Sequence, residues 1–446
     1  MSSSAEYIEE YKRVILPSTI SENEDKVLCK GDGVWVWDED GKKYFDAASQ
    51  VSMVNIGHNH PKLISWTRKY YAKAAREKII TSSINTDCYA RSFLTVDGER
   101  MEISPPGLQR RLAQHTFGPE NTICFPDVTG ALGANDALRY FRTVTGRPYW
   151  LTFEKAFHGR HGEARDSSDS NPIHWNEAER DHHAYRLPYP ETKEGLKACL
   201  EKLKSLNLKV FSYLLYEPVQ GEGGGMRVGR YIKEVEDFLK TEGVYSISDE
   251  IQAGMGRCGE WFGYQALGLN PDAIVLGKSL GVIVPVSCFV LKKGINDLYN
   301  FPHGKISGTF PGYNAGMAAA NFVMRIYEEE KIVENARNLS PEFGKMLKNA
   351  IEPYDILNLH NMRLPSLKVD GIGLYRSIKF YDKNGIPDPK MRDLVNLKLR
   401  ELGVWTYPAS KSFPAIRFTP PLVSTQADLK FLTDAIYQAT RILYQS

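Results

Sequence analysis

From about residue 90 the chain alternates short, continuously apolar runs with amphipathic stretches, and this alternation constrains its fold more than any other feature. The apolar runs at 149–153, 211–216, 244–248 and 273–276 read as strands, and the stretches at 134–144 and 231–241 read as helices. Strands that are apolar on both faces and joined through helices form a mainly parallel sheet covered on both sides. An α/β protein is therefore expected. Nearer the start, Asp32-Gly33 and Asp40-Gly41 bracket Val34-Trp35-Val36-Trp37, which predicts a hairpin leading into Lys43-Tyr44-Phe45. A helix is expected over 315–330, followed by mixed helix and strand. No internal repeat or long linker interrupts the 446 residues, so both ends read as α+β pieces attached to the parallel centre.

Composition removes several classes of function. Lys and Arg total 56 against 54 Asp and Glu, a net +2, which supplies no electrostatic footprint for nucleic acid. Hydrophobic residues at 42% and aromatic residues at 11% suit a folded chain. The six cysteines contain no C-x-x-C pair and are too sparse for a disulfide framework. The first residues are acidic where a signal peptide is basic, and the longest apolar stretch, 281–291, falls short of the ~20 residues of a spanning helix. A cytoplasmic protein with no membrane partner is expected.

The commoner α/β chemistries lack their motifs. No G-x-G-x-x-G/A follows a strand, and G-x-S-x-G is absent. Gly277-Lys278-Ser279 looks like the end of a P-loop, but Asp272 stands where its first glycine belongs. His58 with His60, His158 with His161, and His182-His183 come without an H-E-x-x-H pattern. They read as hydrogen-bonded loop or core histidines, and no metal is expected.

Two strand ends carry more information. The run 244–248 ends in Asp249-Glu250-Ile251-Gln252, and the run 273–276 ends in Gly277-Lys278. Ligands of parallel sheets gather beyond the carboxyl ends of the strands. A carboxylate there can hold a proton on a heteroaromatic nitrogen, and a partly desolvated lysine becomes a nucleophilic amine able to form a Schiff base. These are the requirements of pyridoxal phosphate. Singly, Lys278 is an ordinary loop lysine and Asp249 a helix cap; together with a phosphate-type turn they mean more. That turn is Thr129-Gly130-Ala131, leading into a helix whose N-terminus suits phosphate. Phe157-His158-Gly159-Arg160 offers a ring for stacking and an arginine for a carboxylate.

Taken in order, these residues resemble the class III, or ω-amino acid, pyridoxal-phosphate aminotransferases of fold type I. The resemblance is carried by Asp249-Glu250-Ile251-Gln252-Ala253-Gly254-Met255-Gly256-Arg257 through Asn270-Pro271-Asp272 to Gly277-Lys278. Tyr216-Glu217-Pro218-Val219-Gln220-Gly221-Glu222-Gly223-Gly224, Phe157-His158-Gly159-Arg160 and Gly57-His58-Asn59-His60-Pro61 add to it. It extends from Gly33 to Arg417-Phe418-Thr419-Pro420-Pro421-Leu422. The resemblance implies a large domain with a seven-stranded, mainly parallel sheet over 76–325, and a smaller α+β domain built from 1–75 and 326–446. It implies pyridoxal 5'-phosphate as cofactor and a homodimer that shares its sites.

The roles it implies are specific. Lys278 would carry the cofactor as a Schiff base and move a proton, and Asp249 would pair with the pyridine nitrogen. Ile251 and Phe157 would cover the two ring faces, with His158 beside them, and Gln252 would reach the phenolic oxygen. Gly130 and Ala131 would hold the phosphate, joined by Thr309 of the neighbouring subunit. Arg160 would hold the distal carboxylate of an amino donor. Arg417 would hold the α-carboxylate of glutamate or 2-oxoglutarate, and Glu222 would pair with it when an ω-amine enters. Ser49-Gln50-Val51-Ser52 looks like the 4-aminobutyrate transaminases, which have an aliphatic residue where Val51 stands. Ornithine, acetylornithine or lysine ω-transamination, amino-acid epimerisation and a cofactor-free binding protein are the alternatives. Leu132, the bulky run 279–283, Pro311, Tyr313 and an insertion-like stretch at 92–106 near the substrate entrance depart from the family pattern.

Overall fold

In the computed structural model, residues 4–16, 26–82, 91–171, 182–222, 225–359, 366–409 and 413–441 are described. Strands β1 (Leu28–Asp32), β2 (Trp35–Asp38) and β3 (Lys43–Asp46) come first, followed by a hairpin of β4 (Phe93–Val96) and β5 (Glu99–Glu102). Next are β6 (Thr122–Asp127), β7 (Tyr149–Phe153), β8 (Ala184–Leu187) and β9 (Phe211–Tyr216). A short pair, β10 (Val219–Gln220) and β11 (Arg227–Val228), precedes β12 (Tyr245–Asp249), β13 (Ala273–Leu276) and β14 (Ser287–Lys292). The C-terminal part adds β15 (Ser366–Ile372), β16 (Tyr375–Tyr381), β17 (Val404–Trp405), β18 (Tyr407–Pro408) and β19 (Ala415–Phe418).

The central sheet has seven strands in the order β6-β14-β13-β12-β9-β7-β8. Only β14 runs against its neighbours. The chain is thus an α/β protein with a mainly parallel sheet. Every residue of β9 and β13 is buried, because helices cover both faces. One of these helices, Gly130–Thr145, starts where the Thr129 hydroxyl accepts from the Leu132 N–H and ends at the left-handed Gly146. It buries Ala134, Ala137, Leu138 and Phe141 against the sheet, and each of the larger side chains contributes roughly 1.5–3 kcal/mol of transfer free energy.

The strands expected from apolar runs lie within about a residue of their expected ends, and 231–241 is the helix Ile232–Thr241, but the helix expected over 134–144 starts four residues earlier, at Gly130, because the Thr129 cap precedes its apolar stripe. Both chain ends meet in a four-stranded sheet, β1-β2-β3-β17, where β17 pairs in parallel with β3. A second such sheet has the order β15-β16-β19-β18. The divisions at 75/76 and 325/326 fall inside the helices Pro61–Glu77 and Asn314–Glu329. The stretch 92–106 forms the β4–β5 hairpin and the first turn of the helix Pro105–His115. Its Leu94, Val96 and Met101 are buried in the main core, and Glu99 pairs with Arg325 at 3.1 Å.

Arg257 ties these parts together. It is fully buried and donates to the backbone oxygens of Leu374 at 3.2 Å and Pro420 at 2.5 Å, and to the Asn55 side chain. Burial pulls its pKa down to about 10, so the guanidinium stays charged near neutrality. Removing it strands several acceptors at once. Arg257→Ala is therefore expected to lose about 3 kcal/mol or more of stability, read as a lower urea midpoint; a change within ~0.5 kcal/mol would contradict this account.

Candidate active site

Adjacent parallel strands bring their carboxyl ends to one edge of the sheet. Asp249 lies opposite Val275 in the β12–β13 register, so Lys278 follows a short turn beyond the level of Asp249. Asp249 is only 4% exposed. Its Oδ1 accepts from the Ile251 N–H at 3.1 Å, and its Oδ2 lies 2.7 Å from His158 Nδ1. The buried His158 is held in turn by its backbone N–H, which donates to Ser168 Oγ at 2.9 Å. Glu250 turns the other way and accepts from the N–H groups of Gly263 and Tyr264, both at 2.7 Å. Only the first carboxylate of the Asp249-Glu250 pair therefore serves the cleft.

Lys278 is half-buried and adopts φ +45°, a left-handed conformation costly for a side chain with a Cβ. Burial pulls its amine down to about 8, against the pull of the Asp249 carboxylate in the opposite direction. Arg417, Glu222 and Glu217 also act on it electrostatically, which gathers these charges around one amine.

Three glycines allow the surrounding elements to touch. A Cβ on Gly130 would lie 2.7 Å from Ile251 Cδ1, and one on Gly277 would lie 3.4 Å from the Gly130 Cα. A Cβ on Gly159 would lie 2.8 Å from the Ala131 Cβ. The turn at the helix N-terminus, Ile251, the base of Lys278 and the segment carrying Phe157 are therefore contiguous. The Phe157 N–H donates to Glu217 Oε1 at 2.8 Å, and the Gly221 N–H donates to Glu217 Oε2 at 3.2 Å. Burial pushes the Glu217 carboxyl up to about 7.

Ala48, Val51, Gln252, Tyr407, Arg417 and Thr419 line a small pocket beside these residues. Val51 reaches it from a turn in which Ser49, Gln50, Val51 and Ser52 all have positive φ, between 47° and 63°. Left-handed L-residues cost roughly 1–2 kcal/mol each. The turn is pinned by Ser49 Oγ donating to the Thr419 oxygen at 2.6 Å and by Thr419 Oγ1 donating to the Ala48 oxygen at 2.8 Å. Arg417 is nearly buried; it donates to the oxygens of Gly221 at 3.2 Å and Pro408 at 3.3 Å, and lies 3.5 Å from Glu222 Oε2.

The structure thus brings together Asp249, His158, Ile251, Gln252, Lys278, Gly130, Ala131, Phe157, Glu222, Arg417 and Val51. Arg160 and Thr309 are exposed and outside the pocket lining, and Gly223 and Gly224 lie outside the described residues. No residue of 92–106 lines the pocket. Of the remaining departures, the Tyr313 hydroxyl donates to the Pro285 oxygen at 2.7 Å and Leu132 faces solvent. Two histidines expected in loops or core pair with carboxylates: His58 with Asp46 at 2.8 Å and His60 with Glu330 at 3.1 Å. Among the described residues, no cluster of three or more His, Cys, Asp or Glu side chains is placed to hold a metal. Sequence reasoning missed Glu217, Tyr407 and Tyr375. Glu217 lay within a quoted motif, but neither tyrosine has a local pattern that marks it.

This donor set fits pyridoxal 5'-phosphate: a low-pKa amine, a buried carboxylate for a ring nitrogen, and a glycine turn at a helix N-terminus for a phosphate. The Aminotransferase class-III family model matches residues 19–440. A 2-aminoadipate transaminase of Pseudomonas putida is 27% identical over 413 residues, covering 89% of this chain and 91% of the relative. An ornithine aminotransferase of Macrococcus caseolyticus is 28% identical, covering 92% of this chain and 93% of the relative. The structure of the Toxoplasma gondii ornithine aminotransferase, with partial occupancy of the cofactor at its active site, matches with a TM-score of 0.81 at 22% identity, covering 99% of this chain and 95% of that one.

In cofactor-free protein, acylation of Lys278 followed by peptide mass spectrometry should rise with pH around a midpoint near 8. A midpoint near the ordinary 10.5 would mean a solvated lysine and remove the desolvated amine from this account.

Proposed function

The chain belongs to the class-III aminotransferases and takes pyridoxal 5'-phosphate, and we propose that it transfers the terminal amino group of an ω-amino acid to 2-oxoglutarate. The first expected donor is 4-aminobutyrate or a close analogue. The observation that carries this reading is the Arg417–Glu222 pair at 3.5 Å beside the pocket. An ω-amine brings no α-carboxylate to the reacting end, so Arg417 needs another anion, and Glu222 supplies it. Glutamate and 2-oxoglutarate bring that carboxylate themselves and displace Glu222. A nearly buried arginine left unpaired is costly, on the order of 3–5 kcal/mol, which gives the exchange its logic.

Pyridoxal phosphate supplies an electrophilic carbonyl and a protonated ring that acts as an electron sink. Lys278 would hold it through its amine and, when free, would serve as the base that moves a proton at the substrate. Asp249, fixed by His158 and the Ile251 N–H, would hold a proton on the ring nitrogen. Ile251 and Phe157 would cover the ring and exclude water, and Gln252 would donate to the phenolic oxygen. Gly130 and Ala131 would offer backbone N–H groups to the phosphate, and Arg160, exposed outside the pocket lining, would meet the far carboxylate of the donor. In a homodimer, Thr309 of the neighbouring copy completes the phosphate site; its exposure, beside a Phe310 that is 57% exposed, is consistent with that role. The free cysteines Cys29, Cys124, Cys199, Cys258 and Cys288 suit a reducing, cytoplasmic setting. No helix among the described residues is long and apolar enough to cross a membrane.

A second reading has its own observation. Val51 cannot receive an α-amino group, but Tyr407 lines the same pocket with a hydroxyl that can. This favours a donor with a free α-amino group such as ornithine, the substrate named for one of the relatives. A panel of 4-aminobutyrate, ornithine, acetylornithine and lysine, scored by glutamate formed from 2-oxoglutarate, separates the readings. Racemisation of a single enantiomer without any glutamate would instead identify an epimerase. The holoenzyme should show a visible band that borohydride abolishes and that Lys278→Ala lacks; a colourless protein after cofactor addition would defeat the enzyme reading. Glu222→Ala should slow the ω-amine half-reaction by about tenfold or more, ~1.4 kcal/mol, and the glutamate half-reaction less. Equal losses would contradict the exchange.

A further inference from the structure

Tyr375, the first residue of β16, is 0% exposed, and its hydroxyl has no hydrogen-bond partner among the described residues. A buried hydroxyl left unpaired is uncommon and calls for a reason. The reason lies over Gly221. A Cβ on that glycine would sit 2.1 Å from the Tyr375 hydroxyl oxygen and 2.8 Å from Gln252 Oε1, so both oxygens converge on the same bare Cα. Gly221 is itself fixed on both sides, its N–H donating to Glu217 and its oxygen accepting from Arg417. Both oxygens of Glu217 already accept backbone N–H groups. Burial raises the phenol well above its ordinary pKa, so it remains a donor. Gln252 Oε1 is the side-chain acceptor that converges on the same spot, although the two oxygens are not hydrogen-bonded as they stand.

We propose that Tyr375 is a positioning residue: its unpaired hydroxyl turns onto Gln252 Oε1, the oxygen that converges with it over Gly221, and sets which end of that amide enters the cleft. With Oε1 held, Nε2 points toward the phenolic oxygen of the cofactor as a donor; with Oε1 free, the amide can turn and present an acceptor to an acceptor. This rests on the role proposed above for Gln252. A donor at the phenolic oxygen withdraws charge from it and lowers the proton affinity of the nitrogen that joins Lys278 to the cofactor.

The test is the pH titration of the visible band of the holoenzyme. Tyr375→Phe keeps the ring and removes only the hydroxyl, and its midpoint should move upward by about half a unit, a roughly threefold change in proton affinity. Gly221→Ala, whose methyl group would push between the two oxygens, should move it in the same direction. In a Gln252→Leu background, Tyr375→Phe should add nothing. A titration identical to that of the unaltered protein overturns the proposal, because a merely structural tyrosine would behave that way. A shift that persists without Gln252 also overturns it, since the hydroxyl would then act by another route. Absence of any visible band in the unaltered holoenzyme would instead be a failure of the proposed function.

Discussion

The pairing of β12 with β13 is the constraint on which the site depends. Opposite residues of a parallel pair end at one level, so Asp249 and Lys278 emerge side by side although they are distant in sequence. The sheet can hold an ionised side chain there only because its charge is answered. Asp249 takes the Ile251 N–H and the His158 imidazole, and Lys278 feels Asp249 as its main favourable charge. Burial makes the Lys278 amine easier to deprotonate, while hydrogen bonds fix the neighbouring carboxylate in place, so the same dry edge holds a positioned acceptor and a reactive base.

Around that pair the chain spends conformational strain at a few places. Lys278 has a positive φ, and so do four consecutive residues at 49–52. Neither position has a glycine to ease it, and both lie at the cleft. The turn at 49–52 is held by Thr419, near the other end of the chain, through hydrogen bonds to Ser49 and Ala48. The wall that carries Val51 is thus set by contacts between the two chain ends, the same association that pairs β3 with β17. Arg257 extends it by joining the motif after β12 to Asn55, Leu374 and Pro420.

Much of this was legible before any coordinates. Buried parallel strands are apolar at every position, so β7, β9 and β13 stand out, and the Asp249 and Lys278 strand ends follow from them. The hairpin β4–β5 was harder. Its turn, Asp97-Gly98, has the composition of a hairpin turn, but the flanking residues mix Arg and Glu with Leu, Val and Met, which obscures the period. The strand β1 was missed for a similar reason, since Leu28-Cys29-Lys30-Gly31-Asp32 is mostly exposed and has little β-branched character. The resemblance to class III aminotransferases named the principal residues, and the structure places most of them together at one edge of the sheet.

The sequence by itself determined the architecture and the chemistry of the pair at the strand ends, because apolar periodicity and residue type are local properties. Tertiary structure decided everything that depends on which distant atoms meet. It put His158 rather than another group on Asp249, turned Glu250 away toward Gly263 and Tyr264, and set Glu222 against Arg417. It also brought Tyr407 into the pocket and Tyr375 over Gly221, although neither carries a motif. The physical reason is that hydrogen bonds and charge pairs act over a few ångströms in space, whereas the sequence specifies only neighbours along the chain.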